Sequence, residues 1–277
     1  MKPVQRAVAD AARQLEGVSD TPRLDAELLM ANALGIERDA LLLWPPMGPP
    51  PARFAELLQR RLNGEPIAYI TGRRAFWNIE LEVGPGALIP RPDSETLIAA
   101  AVEHFGRTEG PSRILDLGTG PGTLLLAALD QWPRATGLGV DSSRVALDYA
   151  RGNAQRLGLA PRAHFRLGNW AEGITERFDL VLCNPPYVAT SAELGPGVAE
   201  HEPAEALFAG PQGLDDYRRL APEVGRLLAP GGLAAIEIGA DQAESAAALF
   251  RDEGLRLRIA HDLAGRPRAL LIQVGHN

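Results

Sequence analysis

The chain has 277 residues, of which 45% are hydrophobic and 23% charged, the proportions of an ordinary globular protein. They exclude a disordered, collagen-like or coiled-coil chain, and the length favours one large or two unequal domains. The formal net charge of −7 argues against a surface that holds duplex nucleic acid by neutralising phosphates. Because no apolar run is long enough to cross a bilayer and Cys183 is the only cysteine, we expect a soluble cytoplasmic protein without membrane attachment, disulfides or a cysteine-based zinc site.

Residues 1–66 show the spacing of amphipathic helices. Val4, Val8 and Leu15 lie on one helical face, and a second segment with similar spacing follows. The prolines of residues 45–51 interrupt this pattern before a further helical stretch. We predict a small N-terminal helical domain over residues 1–66.

Residues 67–92 change to strand periodicity. Ile79, Leu81 and Val83 alternate with polar residues, which is the pattern of a half-buried strand. A Gly-Pro-Gly turn follows, and Ala87–Ile89 is predicted to return as the second strand. We expect this stretch to form a β-hairpin that links two domains.

Beyond residue 93 short apolar strands alternate with helices. This order predicts an α/β domain over residues 93–277 with a doubly wound, mostly parallel, Rossmann-like sheet. Ligands of such sheets bind beyond the carboxyl ends of the strands. The predicted strands are Arg113–Leu117, Leu138–Val140, His164–Leu167, Phe178–Cys183, Leu233–Ile238 and Ala269–Val274. The predicted helices are Thr123–Gln131, Ser142–Leu157, Leu214–Leu228 and Gln242–Arg251.

The turn after the first of these strands is rich in glycine, reading Asp116-Leu117-Gly118-Thr119-Gly120-Pro121-Gly122. Glycines let the backbone approach a ligand, but this spacing is neither the dinucleotide motif nor a P-loop, and a tight turn without a ligand is the alternative. Asp116 can hold the loop or face an ammonium group. Asp141 ends the next strand and can accept bonds from ribose hydroxyls or cap the following helix. An acidic pocket suits a cationic cofactor, and the set resembles the S-adenosylmethionine site of class I methyltransferases.

Asn184-Pro185-Pro186-Tyr187 follows an apolar strand and therefore projects from its carboxyl end. The prolines fix the backbone and leave carbonyls free, while the asparagine amide offers an acceptor and a donor in one plane. Asn184 Oδ1 and the Pro185 carbonyl can accept both N–H bonds of an amide or exocyclic amine, beside the flat wall of Tyr187. A rigid turn without such a role is the alternative. The motif resembles that of amino methyltransferases, which include adenine-N6 DNA enzymes and glutamine-N5 protein enzymes.

Further segments narrow this resemblance. Gly64–Gly72, Leu88–Glu95, Gly213–Arg218 and Glu237–Gly239 closely resemble the release factor glutamine methyltransferase family, over nearly the whole chain. The resemblance implies methylation of the N5 atom of the Gly-Gly-Gln glutamine in peptide chain release factors 1 and 2. The implied cofactor is S-adenosylmethionine, the implied product is S-adenosylhomocysteine, and no metal is required. We expect the protein to be a monomer.

The resemblance also assigns the site residues. The implied cofactor contacts are Asp116, Gly118, Thr119, Gly120, Pro121, Gly122, Asp141, Asn169, Trp170 and Asn184. The implied catalytic residues are Asn184, Pro185 and Tyr187, and the implied substrate contacts are these three with Pro186, Arg91 and Glu95. Asn169 stands where the family usually has Asp, and Ser94 stands where Thr is more common. We expect Asn169 to weaken or reorient adenine binding without abolishing it.

Two other methyltransferase classes share Asn-Pro-Pro-Tyr. A sister family that methylates a ribosomal-protein glutamine typically reads Pro-Arg-Ser-Pro where this chain has Pro90-Arg91-Pro92-Asp93, which favours the release factor. A DNA adenine enzyme needs a surface that grips the duplex and extrudes a base, and no lysine-rich stretch supplies one, so we expect no stable nucleic-acid binding. The N-terminal helical domain is expected to recognise the release factor away from its glutamine loop.

Overall fold

The computed structural model describes residues 2–195 and 197–274. The chain divides into two compact units. The helical unit is Met1–Arg73 with Leu194–Glu202, and the sheet unit is Arg74–Glu193 with Pro203–Asn277. Within the described ranges, no helix combines the length and the apolarity that crossing a bilayer requires.

The helical unit is built from short amphipathic helices around their own apolar core. Its helices are α1 (Pro3–Leu15), α2 (Pro22–Leu34), α3 (Arg38–Leu43), α4 (Ala52–Leu62), α5 (Ile67–Thr71) and α9 (Val198–His201). Helix α2 ends at Gly35, whose φ of +68° is the left-handed conformation that closes many helices. Leu29 and Leu57 lie in the core, and Arg61 pairs with the buried Asp25 at 2.7 Å. Burial of each large apolar side chain contributes about 1.5–3 kcal/mol to stability.

A two-stranded sheet is formed by β1 (Arg73–Phe76) and β2 (Ile79–Glu82). The predicted strand beginning at Ile79 is thus confirmed, but the prediction that Ala87–Ile89 pairs with it is wrong. Ala87 closes a turn by donating its N–H to the Gly84 carbonyl, and the strand partner lies upstream. Ala87 and Ile89 are buried, so their alternation reflects packing rather than strand pairing.

The sheet unit has the α/β architecture expected from the sequence. Its seven-stranded sheet has the order β5-β4-β3-β6-β7-β9-β8, parallel from β5 to β7, with β9 antiparallel to both neighbours. The strands are β3 (Arg113–Leu117), β4 (Thr136–Asp141), β5 (Ala163–Leu167), β6 (Phe178–Cys183), β7 (Leu228–Glu237), β8 (Arg256–His261) and β9 (Pro267–Gln273). The helices are α6 (Glu95–Phe105), α7 (Thr123–Gln131), α8 (Arg144–Arg156), α10 (Asp215–Leu227) and α11 (Ala243–Asp252). Strand β8 was not predicted from the sequence, because it is an edge strand whose side chains are only partly buried.

In the sheet, β3 lies between β4 and β6. The strand order reverses direction at this point, which leaves a crevice beside β3. Such a switch point at the carboxyl ends of parallel strands is where α/β sheets bind ligands. Asp116 lies near the end of β3 and Asp141 ends β4. Cys183, the last residue of β6, pairs with Ile236 of β7. Asn184, which follows β6, and Glu237, which ends β7, therefore lie at the same edge of the sheet.

Candidate active site

A cavity of about 350 Å³ lies in the sheet unit at this edge, within the size range of small-molecule sites. It brings together most residues assigned from the sequence. The predicted site residues that line it are Arg91, Asp116, Gly118, Thr119, Gly120, Pro121, Asp141, Asn169, Trp170, Asn184 and Pro186. Those outside its lining are Glu95, Gly122, Pro185 and Tyr187. The individual roles given to these residues stay predictions.

The glycine loop is held in place by backbone hydrogen bonds to the end of β4. Gly118 and Thr119 donate their N–H groups to the Val140 carbonyl at 2.9 and 3.0 Å. Gly118 has a φ of +71°, and an added Cβ would lie 3.3 Å from a ring carbon of Trp170. A side chain there is therefore disfavoured by both backbone conformation and space. At Gly120 the same atom would meet nothing within 4 Å, so that side of the loop is open.

Asp116 has two differently used carboxylate oxygens. Oδ2 accepts the Thr119 hydroxyl at 2.6 Å and the Leu125 N–H at 3.1 Å, which ties the loop to the start of α7. Oδ1 is buried, and no group in the described part of the chain forms a hydrogen bond to it. Burial raises the pKa of Asp116 to about 7, although the two hydrogen bonds oppose this shift. The residue therefore fits both sequence interpretations, since one oxygen holds the loop and the other can receive an ammonium donor.

This pKa makes a testable contribution to stability. Between the ordinary value near 4 and about 7 the folded chain holds a proton on Asp116 that the unfolded chain releases, so this group's contribution to the free energy of unfolding falls as the pH rises. Asp116→Asn removes that dependence. We expect the free energy of unfolding in urea, taken as variant minus wild type, to increase by up to a few kcal/mol from pH 4.5 to pH 7.5. A difference that stays constant across this range contradicts the assignment.

Asp141 fastens the glycine loop to the start of α8. Its Oδ2 accepts the Gly120 N–H and its Oδ1 the Ser143 N–H, each at 2.8 Å. The cap of α8 is Ser143, whose hydroxyl oxygen accepts the Ala146 N–H at 3.2 Å. Burial raises the pKa of Asp141, against these backbone hydrogen bonds. Because a carboxylate has about four acceptor positions, Asp141 can still accept bonds from a ligand in the cavity.

Trp170 forms part of the cavity wall in an uncommon backbone conformation. Its φ of +49° lies in the left-handed region that a residue with a side chain rarely adopts. The Trp170 ring lies against Gly118, and Asp216 of α10 lines the same cavity. Asp216 is a cavity residue for which no role was predicted from the sequence.

Asn184 is connected through hydroxyl groups to the start of α6 and to the end of β7. Its Nδ2 donates to Ser94 Oγ at 3.1 Å, and Ser94 donates to Glu237 Oε2 at 2.5 Å. The other oxygen of Glu237 accepts the Tyr187 hydroxyl at 3.1 Å. The Ser94 side chain makes no capping bond to α6. No role was predicted for Glu237, although an acidic residue at the end of an apolar strand is a signal of a functional site.

The backbone after the Asn-Pro-Pro-Tyr motif is held by Gln242. Its Nε2 donates to the Tyr187 carbonyl at 2.9 Å and to the Gly213 carbonyl at 3.3 Å. An added Cβ at Gly213 would lie 2.1 Å from the Tyr187 carbonyl oxygen, so this approach requires glycine. On the other side Glu95 accepts the Trp77 N–H at 2.9 Å and supports the hairpin turn.

The comparisons with known proteins agree with this geometry. Residues 6–72 match the family described as PrmC N-terminal domain, and residues 109–255 match the family described as methyltransferase domain. A Caulobacter vibrioides protein named release factor glutamine methyltransferase is 43% identical over 259 residues, which cover 91% of this chain and 89% of that protein. The chain belongs to the release factor glutamine methyltransferase family. A member with the same name from Rhodospirillum rubrum is 43% identical over 258 residues, covering 91% of this chain and 79% of that protein.

Solved structures share the fold of this family member. A methyltransferase from Pyrococcus furiosus has a TM-score of 0.52 at 18% identity and covers 79% of this chain and 97% of its own. The catalytic domain of hMettl16, solved with a MAT2A 3′UTR hairpin, has a TM-score of 0.55 at 16% identity, with 79% and 81% covered. At such identities the likeness concerns the fold alone. The resemblance inferred from the motifs and the class I methyltransferase fold are both confirmed.

Proposed function

We propose that this protein transfers one methyl group from S-adenosylmethionine to the N5 atom of the glutamine in the Gly-Gly-Gln motif of peptide chain release factors 1 and 2. The products are N5-methylglutamine and S-adenosylhomocysteine. One observation carries the proposal. Asn184, the first residue of the Asn-Pro-Pro-Tyr motif, lines the same cavity as the glycine loop and Asp141. The names of the relatives at 43% identity support the choice of release factors.

The residues of the cavity fit S-adenosylmethionine. The unpartnered Oδ1 of Asp116 matches the ammonium group of the amino-acid portion, and the open side of Gly120 leaves space for a ligand. Asp141 has acceptor positions for ribose hydroxyls, and Trp170 with Asn169 offers a flat surface and an amide for the adenine. The cavity lining is acidic on balance, which suits a cation, because its two arginines, Arg91 and Arg219, are outnumbered by the carboxylates of Asp116, Asp141, Glu205 and Asp216. When bound, the cofactor supplies a methyl group on a positively charged sulfur.

The Asn-Pro-Pro-Tyr motif prepares the substrate nitrogen. An amide nitrogen is a weak nucleophile because its lone pair is delocalised into the carbonyl. Asn184 Oδ1 and the Pro185 carbonyl accept hydrogen bonds from the two N–H groups of the substrate amide. These bonds fix the orientation of the nitrogen and favour a pyramidal geometry. The nitrogen releases one proton to water as the new N–C bond forms. Catalysis in this proposal comes from positioning and electrostatics, without a strong base.

The decisive experiment supplies methyl-labelled cofactor to the purified protein with one of several substrates. Release factor 1 or 2, a release factor whose motif glutamine is replaced by alanine, a ribosomal-protein glutamine substrate and duplex DNA are compared, and the label is mapped by mass spectrometry. We expect label on the motif glutamine of the intact release factor and none on the alanine variant. Label on the ribosomal substrate or on DNA adenine instead of the release factor defeats the proposal in favour of the corresponding methyltransferase class.

The helical unit offers a surface for the protein substrate. Leu43 is the last residue of α3, and Trp44 and Met47 lie within the next four residues; the three are 65%, 75% and 74% exposed. Large apolar side chains with such exposure stabilise complexes when a partner buries them. We propose that they contact the release factor outside its glutamine motif.

Replacing both Trp44 and Met47 by serine tests this contact. We expect kcat/KM for the whole release factor to fall by roughly 10- to 100-fold, because two large apolar contacts are lost, while a short Gly-Gly-Gln peptide is methylated as before. The matched control is Leu263→Ser, which removes a fully exposed apolar side chain from the sheet unit. Equal losses on protein and peptide contradict a docking role.

A further inference from the structure

Glu237 is a fully buried carboxylate at the end of β7. Two hydroxyl groups donate to it from different parts of the sheet unit, Ser94 to Oε2 at 2.5 Å and Tyr187 to Oε1 at 3.1 Å. Its backbone carbonyl also accepts the Tyr217 hydroxyl at 3.1 Å. A buried acid with three hydroxyl donors around it is costly to desolvate and does not arise as a simple packing element. Its position beside Asn184 suggests what it does.

The direction of these hydrogen bonds determines the orientation of the Asn184 amide. A serine hydroxyl has one hydrogen, and Ser94 gives this hydrogen to the Glu237 carboxylate. Ser94 Oγ can then only accept from Asn184, so the atom of Asn184 that faces it has to be the NH₂ group. Oδ1 is left on the other side of the amide, available to a ligand of the cavity that Asn184 lines.

We propose that Glu237 is a positioning residue that, through Ser94, holds the Asn184 amide with Nδ2 turned to Ser94 and Oδ1 free for the substrate. We call Glu237, Ser94 and Asn184 the amide relay. Through its second oxygen Glu237 also fixes the Tyr187 hydroxyl. The catalytic consequence of the relay rests on the proposed function, whereas the orientation of the amide does not.

The charge on Glu237 is essential to the relay. If Glu237 takes up a proton, it can donate to Ser94, and Ser94 can then donate to Asn184 and turn the amide around. Burial raises the pKa of Glu237 to about 7, opposed by the hydroxyl bonds and by the charge of Arg268 on β9. The other charged or titratable groups facing it are Asp93 before α6, which pairs with Arg268 at 3.0 Å, Tyr187, Tyr217 and Cys183. The relay should therefore fail as the pH falls through about 7.

A first experiment reads the amide without any substrate. The full chain is labelled with ¹⁵N-asparagine, and the Asn184 side-chain resonance is assigned by its loss in Asn184→Ala. Asp116 lines the same cavity and also has a pKa raised to about 7, so the measurement is made in an Asp116→Asn background. We expect the resonance to shift between pH 8 and pH 6 in Asp116→Asn, and to be insensitive to pH in Asp116→Asn/Glu237→Gln. Titration that persists in the double variant, or an Asn184 resonance that does not respond in Asp116→Asn, overturns the relay whether or not the protein methylates glutamine.

A second experiment measures kcat on the release factor with a double-mutant cycle. Ser94→Ala and Glu237→Gln are each expected to lower kcat about tenfold or more, because the acceptor on Asn184 is no longer held, and to leave the affinity for S-adenosylhomocysteine unchanged. Since both act on the same amide, the double variant should lose no more than Ser94→Ala alone. Ser94→Thr keeps the hydroxyl and should have a kcat close to that of the wild type.

The control for this cycle is Asp179→Asn. Asp179 accepts two backbone N–H groups, of Ser112 and Arg113, at the opposite end of β6, so it tests the loss of a carboxylate in the same sheet. We expect its kcat and pH profile to match the wild type. At saturating cofactor, where the ammonium group beside Asp116 keeps that carboxylate ionised, the decrease of kcat below pH 7 should disappear in the relay variants. Additive losses in the double variant, or an unchanged pH profile of kcat, refute the relay. A wild type that leaves the release factor unmethylated instead defeats the proposed function, and the resonance experiment still decides the relay.

Discussion

Replacing Asn184 by alanine is expected to lower kcat by on the order of 10²-fold or more, which is the typical loss on removing one oriented hydrogen-bonding group at a reacting centre. Asn184 lines the cavity and its amide is held by Ser94 at 3.1 Å. Alanine removes the acceptor that orients the substrate nitrogen and leaves the glycine loop and Asp141 in place. The dissociation constant of S-adenosylhomocysteine should therefore change much less than kcat. Single-turnover methylation and calorimetric titration measure the two quantities.

Two variants distinguish the loss of substrate orientation from a general destabilisation of the protein. Asn184→Asp keeps an acceptor oxygen but loses the NH₂ donor to Ser94 and adds a charge near Glu237, so it should have less activity than the wild type and more than the alanine variant. Asn78→Ala, in the exposed turn of the hairpin, should have no effect. A threefold or smaller decrease of kcat in Asn184→Ala, or a loss of cofactor affinity as large as the loss of kcat, contradicts the assignment.

The site residues that could be predicted from the sequence lie at or just beyond the carboxyl end of a strand. Asp116, Asp141 and Asn184 each end or follow a parallel strand, and the carboxyl ends of such strands meet at one edge. Local sequence patterns were therefore enough to predict that these side chains lie in one site. Asp141 also showed that two sequence interpretations need not exclude each other, because its carboxylate bonds to Ser143 at the helix start and still lines the cavity.

What the sequence could not supply depends on contacts between distant segments. Ser94 is separated from Asn184 by 90 positions and from Glu237 by 143, so no local pattern relates their hydrogen bonds. The same limit explains the hairpin error. Alternation shows that Ile79–Glu82 is a strand, but the choice of partner depends on the tight turn at Trp77, whose φ is +54°.

Asp141→Ala is expected to weaken binding of S-adenosylhomocysteine by roughly 10- to 100-fold, since each lost hydrogen bond to a charged group contributes about 1.5–3 kcal/mol. The carboxylate accepts the Gly120 N–H at 2.8 Å and has further acceptor positions for the ribose. Its removal takes away the ligand contact and loosens the loop at the same time. Calorimetric titration gives the affinity, and thermal unfolding without ligand gives the effect on the loop.

The comparison with Asp141→Asn separates these two contributions. Asparagine can still accept from one backbone N–H but cannot replace both oxygens, so the loop is partly held while the charge is lost. If the ribose contact dominates, Asn and Ala variants lose similar affinity although their melting temperatures differ. Asp148→Ala, which removes an exposed carboxylate paired with Arg151 on α8, is the matched control and should leave affinity unchanged. At saturating cofactor both Asp141 variants should recover most of kcat, because Asn184 and its relay are intact. A kcat that remains low at saturation would place Asp141 in the chemical step rather than in cofactor binding.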